Sequence, residues 1–333
     1  MTAIYLVTGG CGFIGSHLCE ALINAGSQVR ILDDLSTGSV DNVPKGVEII
    51  EGDVGDPATV TSAIVGVSGC FHLAAITSVE RSTRDWFASH RTNLSGTIAV
   101  FDAARRIERP HPIPVVYASS AAVYGDCRHL PIREATRARP LSAYGADKYA
   151  CELHARIASD IHGVPTVGLR FFNVYGPRQD PRSPYAGVIS IFCERLLERQ
   201  PIDIFGDGAQ TRDFVYVSDA VVALMEAMRR TSRRPSVFNV CTGKTTSVLD
   251  LAQLVGKLCG FSPEIHFQPW RPGEIIHSLG DCSLICRRFE IPAFVELRAG
   301  LGKTLSWMRE SAPVARQAEA GPMASRAPGQ APG

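Results

Sequence analysis

Near its start the chain reads Thr8-Gly9-Gly10-Cys11-Gly12-Phe13-Ile14-Gly15, between a strand predicted at Ile4–Thr8 and a helix predicted at Phe13–Asn24. The glycines fit G-x-x-G-x-x-G from Gly9 and G-x-G-x-x-G from Gly10. Glycine allows the tight turn and lets a pyrophosphate approach bare backbone at the positive end of the helix. Alone, the pattern indicates only a tight turn, but its place between strand and helix predicts a dinucleotide-binding unit.

Asp33 follows the next predicted strand, Gln28–Leu32. A carboxylate at this point accepts hydrogen bonds from both hydroxyls of the adenosine ribose and repels a 2′-phosphate. Since no arginine stands beside it in the sequence, NAD is the predicted cofactor rather than NADP, with Asp34 as a second candidate for the contact. Asp53, with Val54, follows the third predicted strand and is placed to reach adenine. Alone, Asp53 is equally compatible with a helix cap or a turn.

Strand-like runs rich in Val and Ile alternate with longer amphipathic segments through the first half of the chain. Beyond the first two, strands are predicted at Glu48–Glu51, Cys70–Leu73, Pro114–Ala118 and Thr166–Phe171. These runs are apolar on both faces, which is typical of a parallel sheet that is covered on both sides. Repeated strand–helix units predict an α/β fold with a doubly wound parallel sheet, the Rossmann fold.

The regular alternation stops after Asn173, where turn-forming and charged residues extend to about Pro184. A helix at Ile189–Glu198, a strand at Ile202–Phe205 and a helix at Val217–Arg229 are predicted beyond it. We therefore predict an NAD-binding domain over residues 1–172, to which the chain returns around 214–245. A smaller C-terminal α/β substrate domain is predicted over residues 173–310, and a disordered tail over residues 311–333.

Charge and cysteine usage restrict the class of protein. The 333 residues include 34 Lys and Arg against 33 Asp and Glu, a net charge of +1, which argues against nucleic-acid and membrane-surface partners. The sequence has no apolar run near the ~18 residues that a membrane helix needs, and no signal peptide is expected. The ten cysteines form no Cys-x-x-Cys pair, so we expect reduced thiols in a cytoplasmic protein. Cys282 and Cys286 could share a helix face, but two thiols alone make a weak metal site, and no metal is expected.

A tyrosine and a lysine at positions i and i+4 provide the candidate catalytic pair. Tyr144 and Lys148 would share one face of a helix, although such a pair alone is common on helix surfaces. Ser119-Ser120-Ala121 directly follows a predicted strand and therefore lies at the carboxyl edge of the sheet, where ligands bind in open α/β folds.

Taken together, these motifs resemble those of the extended short-chain dehydrogenase/reductases, and within them the nucleotide-sugar 4-epimerases. The resemblance runs from about Ile4 to about Trp307 and includes two further motifs, His72-Leu73-Ala74-Ala75 and Arg170–Arg178. It implies NAD as cofactor, a UDP-sugar as substrate, and Ser120, Tyr144 and Lys148 as catalytic residues. For the cofactor it implies contacts from Gly9, Gly12, Phe13, Ile14, Gly15, Asp33, Asp53, Val54, Leu73, Ala74, Ala75, Asn93, Ser119, Tyr144, Lys148 and Phe171.

In the mechanism that the resemblance implies, Tyr144 takes the proton of the sugar 4-hydroxyl while hydride leaves C4. A free tyrosine has a pKa of about 10, so Lys148 and the positive nicotinamide ring are expected to lower it. Ser120 would hydrogen-bond the same hydroxyl, and Lys148 would also hold the nicotinamide ribose.

The second half of the chain is expected to hold the substrate. The resemblance places Asn173, Arg212 and Arg271 at the diphosphate, for which forked guanidinium groups are well suited. Taken alone, each arginine is also compatible with an ordinary solvated charge on the protein surface. The full set of implied substrate contacts is Ser78, Ser120, Tyr144, Asn173, Gln179, Val188, Phe205, Arg212, Arg271, Glu274 and Ser278. In this set Phe205 would stack on uracil or simply pack in the core, and Glu274 would bind a ribose hydroxyl.

Three reactions share this machinery, and the residues after Ser120 separate them. The related 4,6-dehydratases carry an Asp-Glu pair where this chain has Ala121 and Ala122, so 4-epimerisation is favoured. Ser278 stands where a bulky aromatic residue would exclude an N-acetyl group, so UDP-glucose/UDP-galactose and UDP-GlcNAc/UDP-GalNAc both remain open. UDP-glucuronate is a third candidate, since Arg178 or Arg182 could pair with its carboxylate. Dehydratase, decarboxylase and 4-keto reductase activities stay as alternatives.

The resemblance also implies a homodimer. Family members pair through two helices of the sheet domain, which here are a helix predicted at Leu94–Arg106 and the helix that carries Tyr144.

Overall fold

The computed structural model describes residues 2–105, 111–181, 186–271, 275–291 and 293–311. Its strands are β1 (Ile4–Thr8), β2 (Gln28–Asp33), β3 (Glu48–Glu51), β4 (Gly69–His72), β5 (Val115–Ser120), β6 (Thr166–Phe171), β7 (Asn173–Tyr175), β8 (Ile202–Phe205), β9 (Thr211–Arg212), β10 (Phe214–Tyr216), β11 (Ser236–Val240), β12 (Thr246–Ser247) and β13 (Ile265–Gln268). Its α-helices are α1 (Phe13–Asn24), α2 (Pro57–Ala63), α3 (Val79–Arg84), α4 (Trp86–His90), α5 (Gly96–Arg105), α6 (Ala143–His162), α7 (Val188–Leu197), α8 (Val217–Arg229), α9 (Val248–Cys259), α10 (Ser283–Arg288) and α11 (Leu297–Ser311).

Seven parallel strands form the main sheet in the order β11-β6-β5-β4-β1-β2-β3. The α/β prediction with a doubly wound parallel sheet is therefore confirmed. The order reverses between β1 and β4, and the glycine loop after β1 faces the His72–Ala75 segment after β4. In open α/β sheets this reversal point is where ligands bind.

Strand and helix ends differ from prediction by one or two residues at five places. Strand β2 ends one residue later, at Asp33, and α7 starts and ends one residue earlier than predicted. Ser119 and Ser120 were predicted to follow β5 but are its last residues, because they continue its pairing opposite Arg170 and Phe171. Strand β4 starts and ends one residue earlier than predicted. Helix α5 starts at Gly96, since Arg91–Ser95 form a π-helical turn before it.

Helices cover both faces of the sheet, as the apolar runs predicted. On one face Leu18 of α1 and Leu224 of α8 are fully buried against the sheet residue Phe71. On the other face Val60 of α2, Val100 of α5 and Ala155 of α6 are buried with the strands. Fully burying an aliphatic side chain contributes roughly 1.5–3 kcal/mol, so these two layers hold the ligand-binding edge in place.

The chain leaves the sheet after β6 and returns to it with β11, which pairs with β6. In between and after it, three small sheets form: β10 with β7, β12 with β9, and β13 with β8. They pack with α7, α9 and α11 around a separate core that includes Phe192, Ile204, Leu251 and Leu301. This second unit stands beside the carboxyl edge of the main sheet, since β7 directly follows β6.

None of the described helices is long and apolar enough to cross a membrane. Ser311, predicted to begin the tail, is the last residue of α11, and residues 312–333 lie outside the described part of the chain.

Candidate active site

The glycine loop is built so that side chains would not fit. Gly9 has a φ of +70°, and a Cβ on it would lie 2.7 Å from the backbone nitrogen of Ala74. A Cβ on Gly15 would lie 2.1 Å from the Gly9 carbonyl oxygen, so the helix could not pack against the loop. A Cβ on Gly12 meets only that same oxygen, at 3.3 Å. Gly12 is also the N-cap of α1 and makes no side-chain cap, so the first turn of α1 offers backbone N–H groups to an anion.

Replacing Gly15 by alanine should lower the free energy of unfolding by roughly 1–3 kcal/mol, because the added methyl group overpacks the loop. The displaced loop should also retain less NAD in the purified protein. Urea denaturation and the absorbance of released cofactor measure the two effects. Gly302→Ala is the matched control, because Gly302 also lies in a helix and a Cβ there meets nothing within 4 Å. Equal behaviour of the two variants would contradict the packing argument.

Asp33 is the buried carboxylate beside the loop. Its Oδ2 accepts from the Cys11 N–H at 2.9 Å and its Oδ1 from the Leu35 N–H at 2.9 Å. Burial raises the pKa of Asp33, while these two hydrogen bonds act in the opposite direction. The backbone thus fixes the carboxylate at the end of β2, where the ribose contact was predicted.

Asp53 is more engaged than the sequence indicates. Its Oδ1 accepts from the Gly55 N–H at 2.7 Å, and its Oδ2 forms an exposed ion pair with Arg91 at 2.6 Å. The turn interpretation of Asp53 therefore holds in the structure, and Arg91 is a partner that the sequence analysis did not identify. Val54 beside it is buried and packs against Gly96.

The histidine of the His72–Ala75 motif connects the loop to the helices behind the sheet. His72 Nδ1 pairs with the Thr8 hydroxyl at 2.8 Å, and that hydroxyl accepts from the Ala74 N–H at 3.2 Å. His72 Nε2 pairs with the Thr97 hydroxyl at 2.9 Å. Because the Thr97 hydroxyl donates to the Asn93 carbonyl, Nε2 must be the protonated nitrogen of a neutral ring. Burial lowers the pKa of His72 to about 3, which keeps the ring neutral.

The protein should lose stability in mild acid through His72. The unfolded chain binds a proton at this ring near pH 6.5 but the folded chain only near pH 3, so the unfolded state is favoured as the pH falls between these values. The contribution is about 1.4 kcal/mol per pH unit below about pH 6.5. Urea denaturation from about pH 7 to about pH 5 should show a shallower fall for His72→Gln than for the wild type. His111→Gln, at an exposed histidine, should keep the wild-type slope, and an unchanged slope in His72→Gln would refute this account.

Ser120, Tyr144 and Lys148 meet at the carboxyl end of β5. Tyr144 lies in the first turn of α6, and its hydroxyl shares a hydrogen bond with Ser120. Lys148, one turn later, is buried and donates to the Ala118 carbonyl at 2.9 Å. Its Nζ lies 5.9 Å from the centroid of the Tyr144 ring. The structure thus brings together the three residues that were predicted to be catalytic.

The titration of Tyr144 differs from the expectation. In the protein alone, burial raises the pKa of Tyr144 to about 12, and the Ser120 hydrogen bond only partly offsets this. Burial also lowers the pKa of Lys148. Lys148 makes its hydrogen bond to Ala118 and not to the phenol, so the expected lowering by Lys148 is absent from this pair of residues.

A buried polar network holds the end of β5, where Ser119 and Ser120 lie. Ser119 donates to Glu152 Oε1 at 2.6 Å, and Glu152 forms an ion pair with Arg170 at 2.6 Å. Arg170 continues the network to the Tyr124 hydroxyl at 2.7 Å, and that hydroxyl donates to Asn239 at 2.6 Å. The Ser119 hydroxyl is therefore engaged with Glu152 of α6.

In the second unit, backbone hydrogen bonds to Asp213 and Thr211 bring the predicted substrate residues Asn173 and Ser278 close to Arg212. The Asn173 N–H donates to the Asp213 carbonyl at 3.1 Å, and the Ser278 N–H donates to the Thr211 carbonyl at 3.1 Å. Arg212 lies between these two residues on β9 and donates to the Thr211 carbonyl at 3.0 Å. The side chain of Asn173 is exposed. Since Phe171 is paired with Ser120, Asn173 lies two residues beyond the partner of Ser120 on the neighbouring strand.

Two further predicted substrate residues, Arg271 and Phe205, are in contact with each other. The Arg271 guanidinium lies 3.7 Å from the centroid of the Phe205 ring, so one face of this ring is already covered. Trp270, which the sequence analysis did not select, lies against Gly206, where a Cβ would be 2.5 Å from the indole. Gln210, also not selected, is buried, and its Oε1 has no hydrogen-bond partner among the described residues.

Several predicted contacts have other roles in the structure. The Ser78 hydroxyl caps α3 by accepting from the Arg81 N–H at 2.9 Å, and the Asn93 carboxamide bonds the backbone of Ile76 from both its oxygen and its nitrogen. Gln179 donates to the Val174 carbonyl at 3.4 Å. The remaining predicted contacts with apolar side chains pack against the hydrophobic cores: Phe13, Ile14, Leu73, Ala74, Phe171 and Val188. Ala75 is half-buried, while Glu274 and Arg182 lie outside the described residues.

The residues present fit NAD. The glycine loop offers bare backbone at the start of α1, Asp33 stands at the end of β2, and the Ala74 backbone closes on Gly9. These features lie at the ends of three neighbouring strands, β4, β1 and β2. When bound, NAD supplies hydride acceptance and return.

Comparison with known proteins agrees with this site. A family model described as the NAD dependent epimerase/dehydratase family matches residues 5–241. The chain is 36% identical over 308 residues to a putative UDP-glucose 4-epimerase of Methanocaldococcus jannaschii, covering 92% of this chain and 98% of that protein. Less similar relatives include a UDP-N-acetyl-alpha-D-glucosaminuronate decarboxylase of Bacillus cytotoxicus, at 29% identity, and a dTDP-glucose 4,6-dehydratase of Streptomyces niveus, at 30%.

Two solved structures are similar over almost their whole length. The UDP-glucose 4-epimerase of Thermotoga maritima with UDP-glucose has a TM-score of 0.88 and 33% identity, covering 92% of this chain and 99% of that chain. The UDP-glucose 4-epimerase of Thermus thermophilus in complex with NAD has a TM-score of 0.86 and 33% identity, covering 93% and 100%.

Proposed function

Because the chain belongs to the NAD-dependent epimerase/dehydratase family, we propose that it is an NAD-dependent 4-epimerase of UDP-hexoses. The observation that carries the proposal is the meeting of Ser120, Tyr144 and Lys148. The two residues after Ser120 are alanines, which have no acid–base group. The two similar UDP-glucose 4-epimerase structures support the substrate class.

Each catalytic residue has one task in the proposed reaction. Tyr144 accepts the proton of the 4-hydroxyl when C4 is oxidised and returns it when C4 is reduced. Ser120, which already shares a hydrogen bond with Tyr144, holds the same sugar oxygen. The Ala118 carbonyl fixes the Lys148 ammonium beside them, where it would hold the nicotinamide ribose, and the positive charge that favours the phenolate would come with bound NAD. The 4-keto sugar then turns, so that hydride returns to its other face.

The reaction needs no further acid–base pair, and this separates it from dehydration. Ala121 and Ala122 begin the short 3₁₀ helix after β5, with the Ala122 N–H donating to the Ser120 hydroxyl at 3.1 Å. Removal of water across C5–C6 would need an acid and a base at this point, which methyl groups cannot supply.

The proposed substrate site spans both units. Asn173, Arg212 and Arg271 bind the diphosphate, and uracil stacks on the face of Phe205 that the Arg271 guanidinium leaves open. Ser278 leaves space beside the sugar, so UDP-N-acetylhexosamines are the second substrate candidates. UDP-glucuronate is the third, and Arg178, the predicted partner for its carboxylate, pairs with Glu20 at 2.6 Å and would have to leave it.

Turnover of a panel of nucleotide sugars tests the proposed function. Purified protein, without added cofactor, is incubated separately with UDP-glucose, UDP-GlcNAc and UDP-glucuronate, and the products are separated by chromatography and weighed by mass spectrometry. We expect a same-mass isomer of at least one of them. A product lighter by water or carbon dioxide, or net consumption of added NAD(H) during turnover, would replace 4-epimerisation by the dehydratase, decarboxylase or reductase alternative.

We further propose that the chain is a homodimer, as the resemblance implies, and that it works in the cytoplasm, where its ten free thiols would stay reduced. Leu153, Ile157 and Ile161 form an exposed apolar stripe at helical spacing on α6, and Ile98 on α5 is also exposed. Such a stripe is typical of a helix that packs against another chain.

Ile157→Glu should halve the mass measured by light scattering, because it places a charge in the proposed contact. Ile191→Glu, at an exposed isoleucine on α7, should keep the wild-type mass. A wild-type protein with the mass of one chain would refute the dimer.

A further inference from the structure

Three thiols that the proposed reaction does not use lie together where β11 meets α10. Cys241 directly follows β11 and is fully buried, Cys282 is the N-cap of α10, and Cys286 is exposed in the same helix. The Cys241 and Cys282 thiols share a hydrogen bond, as do those of Cys282 and Cys286. No group of three metal-ligating side chains among the described residues has the geometry of a metal site, so this trio is a thiol cluster and not a metal centre.

Cys282 and Cys286 stand one helical turn apart, and the separation of their Cα atoms is within reach of a disulfide. The Cys286 N–H donates to the Cys282 carbonyl at 3.1 Å, which is the helical i to i+4 hydrogen bond. Residues so bonded have Cα atoms about 6 Å apart, within the roughly 4.4–6.8 Å range of disulfides. Their Cβ atoms stand about 5–6 Å apart, against roughly 3.5–4.5 Å in a disulfide, so the first turn of α10 has to shift before the S–S bond can form.

Cys282 and Cys286 also differ in acidity, as a thiolate that reacts first and a thiol that reacts second would. The hydrogen bond from Cys241 lowers the pKa of Cys282 against the effect of its partial burial, which favours the thiolate form of this sulfur over that of Cys286. Burial raises the pKa of Cys286 to about 11, which leaves it as the protonated partner. Cys286 is exposed, so an oxidant has access to the pair.

We propose that Cys282 and Cys286 form an oxidation site that hydrogen peroxide converts to a disulfide. The Cys282 thiolate attacks one peroxide oxygen, the O–O bond breaks, and Cys282 becomes a sulfenic acid while the other oxygen leaves as water. Cys286 then attacks the sulfenic sulfur, the S–S bond forms, and a second water leaves. In total two thiols lose two electrons and two protons, and one peroxide is reduced to two waters.

The cluster shares backbone with the substrate unit. A Cβ on Gly280 would be 2.4 Å from the Cys241 sulfur, and one on Gly243 would be 3.4 Å from the Cys282 sulfur. The N–H groups of these two glycines donate to Asp213 Oδ2, at 3.4 Å and 3.0 Å respectively. A disulfide that draws Cys282 toward Cys286 therefore loosens the contacts of the Asp213 carboxylate, next to Arg212. If the proposed function is correct, on which this consequence rests, oxidation raises the KM for the UDP-sugar several-fold.

Peptide mapping tests the site without relying on turnover. The intact protein is treated with hydrogen peroxide, free thiols are alkylated, and the tryptic peptide that ends at Arg287 is sequenced by tandem mass spectrometry. We expect a disulfide between Cys282 and Cys286, formed roughly tenfold faster than any oxidation of Cys127, because the thiolate is the reacting form. Cys259 should stay alkylated, and dithiothreitol should restore both thiols.

Two variants complete the test. Cys286→Ser should form no disulfide at this site, because the second sulfur is missing. The control Cys127→Ser should form the Cys282–Cys286 disulfide at the wild-type rate. The KM shift should appear in the wild type and in Cys127→Ser and be absent from Cys286→Ser. A Cys241–Cys282 disulfide, or oxidation of Cys282 no faster than that of Cys127, would overturn the proposal. Absence of turnover would contradict only the proposed function, since the mapping is independent of it.

Discussion

Tyr144→Phe should lower kcat about a thousandfold while the Kd for the UDP-sugar stays nearly unchanged, because the variant removes only the hydroxyl that moves the proton. Tyr144 shares a hydrogen bond with Ser120, and burial raises its pKa to about 12. In the protein without bound ligands, Tyr144 is therefore protonated at neutral pH. Its phenolate forms only when positive charge is added beside it. Phenylalanine keeps the ring and its packing and cannot accept the proton.

Turnover of UDP-glucose and its binding by calorimetry measure the two halves of this prediction. Tyr149→Phe is the matched control, because Tyr149 lies on the same helix and packs against the core beside the sheet. It should keep kcat within a few-fold of the wild type. Wild-type turnover in Tyr144→Phe would refute the proposed role of Tyr144, and an equal loss in both variants would indicate damage to α6 instead.

Glu152→Ala should lower the free energy of unfolding by about 3–5 kcal/mol, the usual cost of removing one partner of a buried ion pair. The Glu152 and Arg170 side chains are only 6% and 7% exposed, and their closest atoms are 2.6 Å apart. Without the carboxylate, the guanidinium charge stays buried and the Ser119 hydroxyl loses its acceptor. Urea denaturation at neutral pH measures the loss.

The same helix provides the control. Asp160 pairs with Arg156 at 3.3 Å, but these side chains are 50% and 76% exposed, and Asp160→Ala should cost less than about 1 kcal/mol. If both variants lost the same small amount, Glu152 and Arg170 would not be the supports of β5 that we infer.

The main sheet could be predicted from the sequence because its signals are local. A glycine loop between an apolar run and an amphipathic one fixes β1 and α1, and both have the predicted bounds. Asp33 could be selected from its place at the end of the second predicted strand, and the Tyr144–Lys148 pair from its spacing on one helix. The structure brings Ser120, Tyr144 and Lys148 together because β5 and α6 are neighbours in the fold.

Contacts between distant segments could not be predicted. The Ser119–Glu152–Arg170 network joins three elements, and nothing in the local sequence of Ser119 indicates that its hydroxyl bonds to Glu152. Ser78 and Asn93 were expected at the ligands, but a helix N-terminus and the Ile76 backbone take up their polar groups. Trp270 was missed because its relation to Gly206 exists only in three dimensions, although its place beside Arg271 was a signal.

The path of the hydrogen at C4 tests the central claim most directly. UDP-glucose that carries deuterium at C4 is incubated with the purified protein, and the product is analysed by mass spectrometry and NMR. The account predicts UDP-galactose of the same mass as the labelled substrate, with the deuterium still at C4, because hydride leaves and returns to one carbon within the site. An epimer that has lost the deuterium to solvent, or a labelled product lighter by water, would contradict it.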